Sequence, residues 1–202
     1  MKKKLDENKE KIDSTAYNKA YAAATQLELF FSASDKMLGV IAYLFESLEE
    51  ITPLMLQKLL YFIQGVSHAV NKKPMFYENC QAWVHGPVYP EVYDMFRDFK
   101  YNPIEDARFA ILEGREKELT DKESKIVDLV VNTFGEYSGK TLEKITHEED
   151  PWKCARKGYS DNIVSNEPIL MSTIESYYTE KDNEYDFSTE SGIKKYISDS
   201  LR

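Results

Sequence analysis

Apolar side chains in the first third of the chain recur every three or four positions, which is the spacing of one face of an α-helix. This pattern predicts a helix over residues 16–31 and a second helix whose apolar face runs from Met37 to Leu48. Thr52 and Pro53 are typical of a helix start, with an N-cap followed by proline at the first helical position. The helix that they begin extends to about residue 70 and is apolar nearly all round. We therefore expect it at the centre of the domain.

A break at residues 71–74 predicts a turn, and the alternating residues 79–85 predict a short strand that Gly86 and Pro87 end. Residues 108–112 are candidates to pair with this strand as a small ribbon. Six further helices are predicted, starting at Pro90, at a capping box over residues 120–123, near residue 141, at Asp150, near residue 172 and at Thr189.

These elements fit one domain with extensions, because 202 residues are few for two domains. No repeat with a period of 20–50 residues is visible, so a solenoid is not indicated. We expect a mainly α (α+β) fold. It consists of a single helical domain with a short β-hairpin or ribbon and an N-terminal helical extension.

Composition and charge narrow the classes of function. The hydrophobic fraction is 42%, and no stretch approaches the roughly 18 apolar residues of a membrane span. No apolar run follows the basic start, so we expect a cytoplasmic protein. The net charge is −9, so the chain lacks the surplus of basic residues that is typical of nucleic-acid-binding proteins. The acidic surplus fits a basic partner protein, or it serves solubility alone.

Four residues are of types that bind zinc, namely Cys80, His85, His147 and Cys154, but their spacing argues against a metal site. On a strand, Cys80 and His85 would point to opposite faces, and a break at residues 150–151 separates the other two. A Cys–His nucleophile needs hydrogen-bond contact, which the sequence does not show. Phosphate-binding loops and the Gly-x-Ser-x-Gly turn are absent. We therefore predict no catalytic residues, no metal and no cofactor; an enzyme using His85 or a carboxylate is the disfavoured alternative.

Residues 83–90, Trp-Val-His-Gly-Pro-Val-Tyr-Pro, form the most unusual local string. Gly-Pro after a strand makes a tight turn, and the aromatic residues can pack beside it. The string is either a turn with core aromatics or the border of a partner-binding surface, since aromatic residues dominate interface hot spots. The string Asp150-Pro151-Trp152 has the same two interpretations.

Four strings together resemble the Panacea (SocA-like) antitoxin domain family, in matching order and spacing. They lie at residues 56–65, 73–76, 82–93 and 146–152, and the resemblance covers about residues 35–178. The resemblance implies a mostly helical antitoxin, associated with phages and mobile elements, that neutralises its toxin by direct binding and has no enzymatic activity. The candidate toxin-binding positions that it implies are Trp83, His85, Gly86, Pro87 and Trp152.

The resemblance also suggests boundaries and partners. Residues 1–34 form a charged lead plus a helix, residues 35–180 the antitoxin domain, and residues 181–202 an acidic C-terminal tail with a short helix. The expected partner is a cognate toxin that an adjacent gene encodes. The shared motifs do not encode the identity of this toxin. The alternative is a transcriptional regulator or another phage-associated regulatory protein. Some relatives carry a helix-turn-helix segment ahead of the domain, and only about 34 residues precede it here, so we do not expect promoter binding. The 16–31 helix packs either within the chain or in a homodimer.

Overall fold

The computed structural model describes residues 2–30, 32–105, 112–160 and 162–202. The helices of these ranges are α1 (Lys2–Asp6), α2 (Ser14–Phe30), α3 (Asp35–Ser47), α4 (Pro53–Asn71), α5 (Pro90–Phe96), α6 (Asp121–Phe134), α7 (Gly139–Glu148), α8 (Asp150–Ala155), α9 (Met171–Tyr185) and α10 (Glu190–Ser200). The strands are β1 (Cys80–Trp83), β2 (Gly86–Val88) and β3 (Pro168–Ile169). The expected mainly helical fold with a short β element is confirmed.

Helix α4 is the central element, as its pattern predicts. It begins where the hydroxyl of Thr52 accepts a hydrogen bond from the amide of Met55 at 3.3 Å. It ends where Lys72 takes the left-handed conformation, with φ of 55°. Nearly every residue between these ends is buried, and the helix contacts α6, α7, α9 and the sheet. A helix that is apolar nearly all round reaches this position because every face must be removed from water.

The three strands form one antiparallel sheet in the order β2-β1-β3. Trp83 pairs with Gly86, so Val84 and His85 form a two-residue turn. The expectation that Gly86 and Pro87 end the strand is therefore wrong, because they begin the second strand of a hairpin. The third strand is β3, whose Ile169 pairs with Cys80. The other expected partner, residues 108–112, lies outside the described residues except for its last position.

Helix starts follow the local capping rules. The capping box at Thr120 and Glu123 is present with both of its reciprocal hydrogen bonds. The hydroxyl of Ser34 accepts a bond from Met37 at the start of α3, and that of Ser138 does the same for α7. Such bonds satisfy amides that the first turn of a helix leaves unpaired. For these reasons the sequence locates helix starts well.

The two ends of the chain differ in how they pack. Helix α2 contacts α5, where Ala24 is buried, but most of its other described side chains are exposed or half-buried. Helices α9 and α10 instead join the core through a set of buried side chains from residues 181–202: Tyr185, Phe187, Ile193, Tyr196 and Ile197. Among the described residues, no helix has the length and apolar character needed to cross a membrane.

Candidate functional site

The β1–β2 hairpin is fastened to α8 by Trp152. The indole Nε1 of Trp152 donates to the backbone oxygen of Trp83 at 2.9 Å. The ring of His147 stacks on the Trp152 ring with centroids 4.0 Å apart. The guanidinium of Arg156 lies 5.1 Å from the centre of that ring and donates to the backbone oxygen of Ala82 at 3.1 Å. Since Trp152 is only 6% exposed, its observed contacts are those of a packing residue.

The side chain of Trp83 reaches the surface. Its ring is half-buried and meets the ring of Tyr93 edge-on, with centroids 4.8 Å apart. Its Nε1 donates to the side-chain oxygen of Gln81 at 2.8 Å, which holds the ring in one orientation. Trp83 and Tyr93 therefore form a fixed aromatic pair that solvent can reach. Rigid aromatic pairs of this kind are suited to anchor a partner.

His85 stands at the tip of the hairpin turn, where 61% of its side chain is exposed. Its Nδ1 lies 3.0 Å from a carboxylate oxygen of Glu143, and Lys140 donates to the other oxygen at 2.9 Å. Burial would raise the pKa of Glu143, but the hydrogen bonds from Lys140 and His85 hold it below its usual value. The turn is thus tied to α7 by a carboxylate that stays ionised.

Gly86 and Pro87 are buried, and their contacts explain why these residue types occur there. Gly86 has φ of +93°, and a Cβ at this position would lie 2.7 Å from the hydroxyl of Thr146. The ammonium of Lys58 donates to the backbone oxygen of Pro87 at 2.8 Å. Complete burial lowers the pKa of Lys58 to about 7. Glycine is required because any other residue would be strained and would also collide with α7.

All five predicted site residues therefore meet at the junction of the hairpin with α7 and α8. Gly86, Pro87 and Trp152 are buried, while Trp83 and His85 reach the solvent. Their part in toxin binding stays a prediction.

The cysteines give no support for a reactive site. Cys80 is buried and Cys154 is exposed. Burial raises the pKa of the Cys80 thiol to about 12, so this thiol is protonated at neutral pH. A protonated thiol is a poor nucleophile and a poor metal ligand. In the described part of the chain, no group of three or more His, Cys, Asp or Glu side chains is arranged to hold a metal ion.

Residues 56–153 match the family described as "Antitoxin SocA-like, Panacea domain". Over these residues, just under half of the chain, the sequence is similar to a SocA-like Panacea domain. It is also similar to a protein of Caulobacter vibrioides named Antitoxin SocA, with 27% identity over 124 residues. That alignment covers 56% of this chain and 64% of the relative, so the chain spans less than two thirds of the relative's length. No solved structure matches.

One buried cluster joins the residues that match the family to the helices beyond them. Glu149, which is 1% exposed, is the N-cap residue of α8 and accepts hydrogen bonds from three tyrosine hydroxyls. Tyr61 of α4 donates at 2.6 Å, Tyr178 of α9 at 3.0 Å and Tyr196 of α10 at 2.5 Å. Burial raises the pKa of Glu149 to about 7, although these three bonds oppose the shift. The residues that match the family therefore share a buried polar cluster with residues that lie outside the match.

The sequence did not point to three buried charged residues of the matched region and its border, namely Lys58, Glu149 and Arg156. A signal exists for Lys58, because a polar residue within a helix that is apolar nearly all round must find a buried partner. Glu149 stands beside Glu148 and Asp150 in the sequence, so nothing local distinguishes the buried carboxylate from its exposed neighbours. Arg156 likewise resembles a surface residue until the loop that it holds is in place.

Proposed function

We propose that this protein is an antitoxin that neutralises a toxin by binding it directly, in the cytoplasm, without catalysing a reaction. The observation that carries the proposal is the match of residues 56–153 to the SocA-like Panacea domain, supported by similarity to a protein named Antitoxin SocA. We infer that the toxin is encoded by an adjacent gene.

The geometry supports a binding role for the exposed side of the hairpin. Trp83 and Tyr93 present aromatic surface, and His85 adds a polar contact at the turn. Buried bonds from Trp152 and Lys58 to the hairpin backbone fix these positions. A surface that is ordered before binding loses little conformational entropy when a partner docks, which favours affinity.

The test is a rescue of growth. The adjacent reading frame is expressed alone and then with this chain, and any complex is purified and its stoichiometry measured. We expect toxicity that the chain relieves, together with a stable stoichiometric complex. Rescue without a complex, or a neighbouring product that is not toxic, would contradict direct neutralisation.

A substitution series locates the surface. We expect Trp83→Ala and His85→Ala to weaken the complex, with Trp83→Ala weakening it by about 10-fold or more because aromatic anchors dominate interfaces. Lys194→Ala is the control, since its side chain is 51% exposed on α10. Thermal unfolding of each variant separates a binding defect from a folding defect. Equal affinities for all three variants would place the toxin elsewhere.

A further inference from the structure

A second group of exposed apolar side chains lies just beyond the residues that match the family. Within twelve residues the chain exposes four large apolar side chains: Tyr159 at 40%, Ile163 at 53%, Val164 at 78% and Leu170 at 59%. Large apolar residues clustered on the surface mark interaction sites more often than scattered ones do. We refer to Tyr159, Ile163, Val164 and Leu170 as the apolar loop surface; Asp161, which the structure does not describe, is not part of it.

Arg156 holds this surface in place from below. The residue is only 4% exposed. Its guanidinium donates to the backbone oxygens of Ser160 at 2.9 Å and Ile163 at 2.7 Å. It also donates to Ala82 in β1, as described above. One buried cation therefore ties the loop to the sheet by three backbone oxygens, and guanidinium has the planar donors needed for this.

The remaining contacts close the arrangement. The hydroxyl of Tyr159 donates to the carboxylate of Glu167 at 2.9 Å, and the backbone oxygen of Glu167 accepts from the amide of Ala82 at 2.8 Å. The amide of Glu167 in turn donates to the hydroxyl of buried Ser165 at 3.1 Å. These hydrogen bonds therefore hold the backbone that carries the exposed side chains. Such rigidity has no evident use for a loop that only connects two elements.

The edge strand limits how a partner can dock here. Glu167 and Ile169 direct their backbone groups toward β1, so Pro168 faces outward, and proline has no N–H to donate. Pairing with a further strand is therefore disfavoured. The occupant must dock through its side chains on the apolar loop surface.

Charge distinguishes a partner protein from a second copy of the chain. A net charge of −9 opposes self-association, and it attracts a protein whose surface is basic around an apolar centre. We propose that the apolar loop surface docks the toxin through an apolar pocket bordered by Lys or Arg side chains. This inference rests on the proposed antitoxin function and adds the surface that selects the partner. The surface follows residue 153, where the family match ends, so it lies outside the part of the chain that the family model covers.

The experiment compares acidic substitutions at two exposed sites in the full chain. Val164→Asp and Ile163→Asp place a charge on the apolar loop surface, and Tyr101→Asp is the matched control because Tyr101 is 85% exposed at a different place. The probe is the purified product of the adjacent reading frame, with affinity measured by calorimetry. We expect binding to weaken by about 10-fold or more for Val164→Asp and to stay within about 2-fold for Tyr101→Asp. Val164→Ser repeats the test without added charge, and thermal unfolding confirms that each variant folds.

The outcomes separate this inference from the proposed function. If the unsubstituted chain does not bind the probe, direct neutralisation itself is wrong. If the chain binds and Val164→Asp binds as tightly as Tyr101→Asp, the antitoxin function stands and the loop assignment is overturned. If Val164→Asp instead converts the chain alone from a dimer to a monomer in light scattering, the occupant is a second copy, and the assignment is again overturned.

Discussion

The buried carboxylate of Glu149 gives the structure a pH dependence that one substitution can isolate. The folded chain raises the pKa of Glu149 to about 7, through burial that outweighs three tyrosine hydroxyl bonds. The folded state therefore holds this proton more tightly than the unfolded state does. The contribution of protonated Glu149 to stability is fully present below pH about 4.5 and is lost as the pH rises through about 7.

The magnitude follows from the two pKa values. A pKa of about 7 in the folded chain, against 4.5 for an unperturbed glutamate, corresponds to about 3 kcal/mol of unfolding free energy. Glu149→Gln removes this titration but keeps the size of the side chain and an oxygen that can accept hydroxyl bonds. The other titrating groups, such as Lys58 and Glu123, are present in both proteins and cancel in the comparison. We expect the variant to gain about 3 kcal/mol relative to the unsubstituted chain between pH 4.5 and pH 8.

Urea unfolding followed by circular dichroism at pH 4.5, 6 and 8 measures this difference. Glu148→Gln is the control, because it removes the same charge from the neighbouring side chain, which is 66% exposed. We expect the control to give a difference that barely changes over this range. If the curves for Glu149→Gln and the unsubstituted chain ran parallel from pH 4.5 to pH 8, the burial and protonation argued for Glu149 would be wrong.

Three further substitutions test the same architecture. Tyr196→Phe removes a hydroxyl that donates a hydrogen bond to Glu149 at 2.5 Å. Because this acceptor is charged at pH 8, we expect the free energy of unfolding in urea to fall by about 1.5–3 kcal/mol at that pH; no loss would contradict the bond. Gly86→Ala forces φ of +93° on a residue with a Cβ, and we expect about 1–3 kcal/mol of destabilisation by thermal unfolding, whereas a neutral result would rule out the hairpin geometry. Trp152→Phe keeps an aromatic ring but loses the 2.9 Å bond to Trp83, so we expect a loss of about 1 kcal/mol or more and faster hydrogen exchange in the hairpin. Unchanged exchange there would mean that Trp152 does not hold the hairpin.

Local physics made much of the fold predictable. Helix α4 was evident because an apolar side chain occupies nearly every face, and its start was evident because Thr52 and Pro53 satisfy the first-turn rules. The sheet was predicted only in part. In the sequence, Gly86 and Pro87 are typical of residues that end a strand. In the structure they begin the next strand, after a two-residue turn at Val84 and His85, because pairing with a neighbouring strand decides where a strand begins and ends.

The candidate site divides in the same way. The sequence by itself indicated the strings that carry the candidate residues, since strings such as that at residues 83–90 are contiguous in the chain. Only the tertiary structure decided which of them face solvent. It buried Trp152 and left Trp83 and His85 accessible, and it brought Glu149 together with Tyr61 and Tyr196 from helices far apart in the chain. Burial and long-range hydrogen bonds depend on how helices pack against one another, and spacing along a single helix carries no record of that packing.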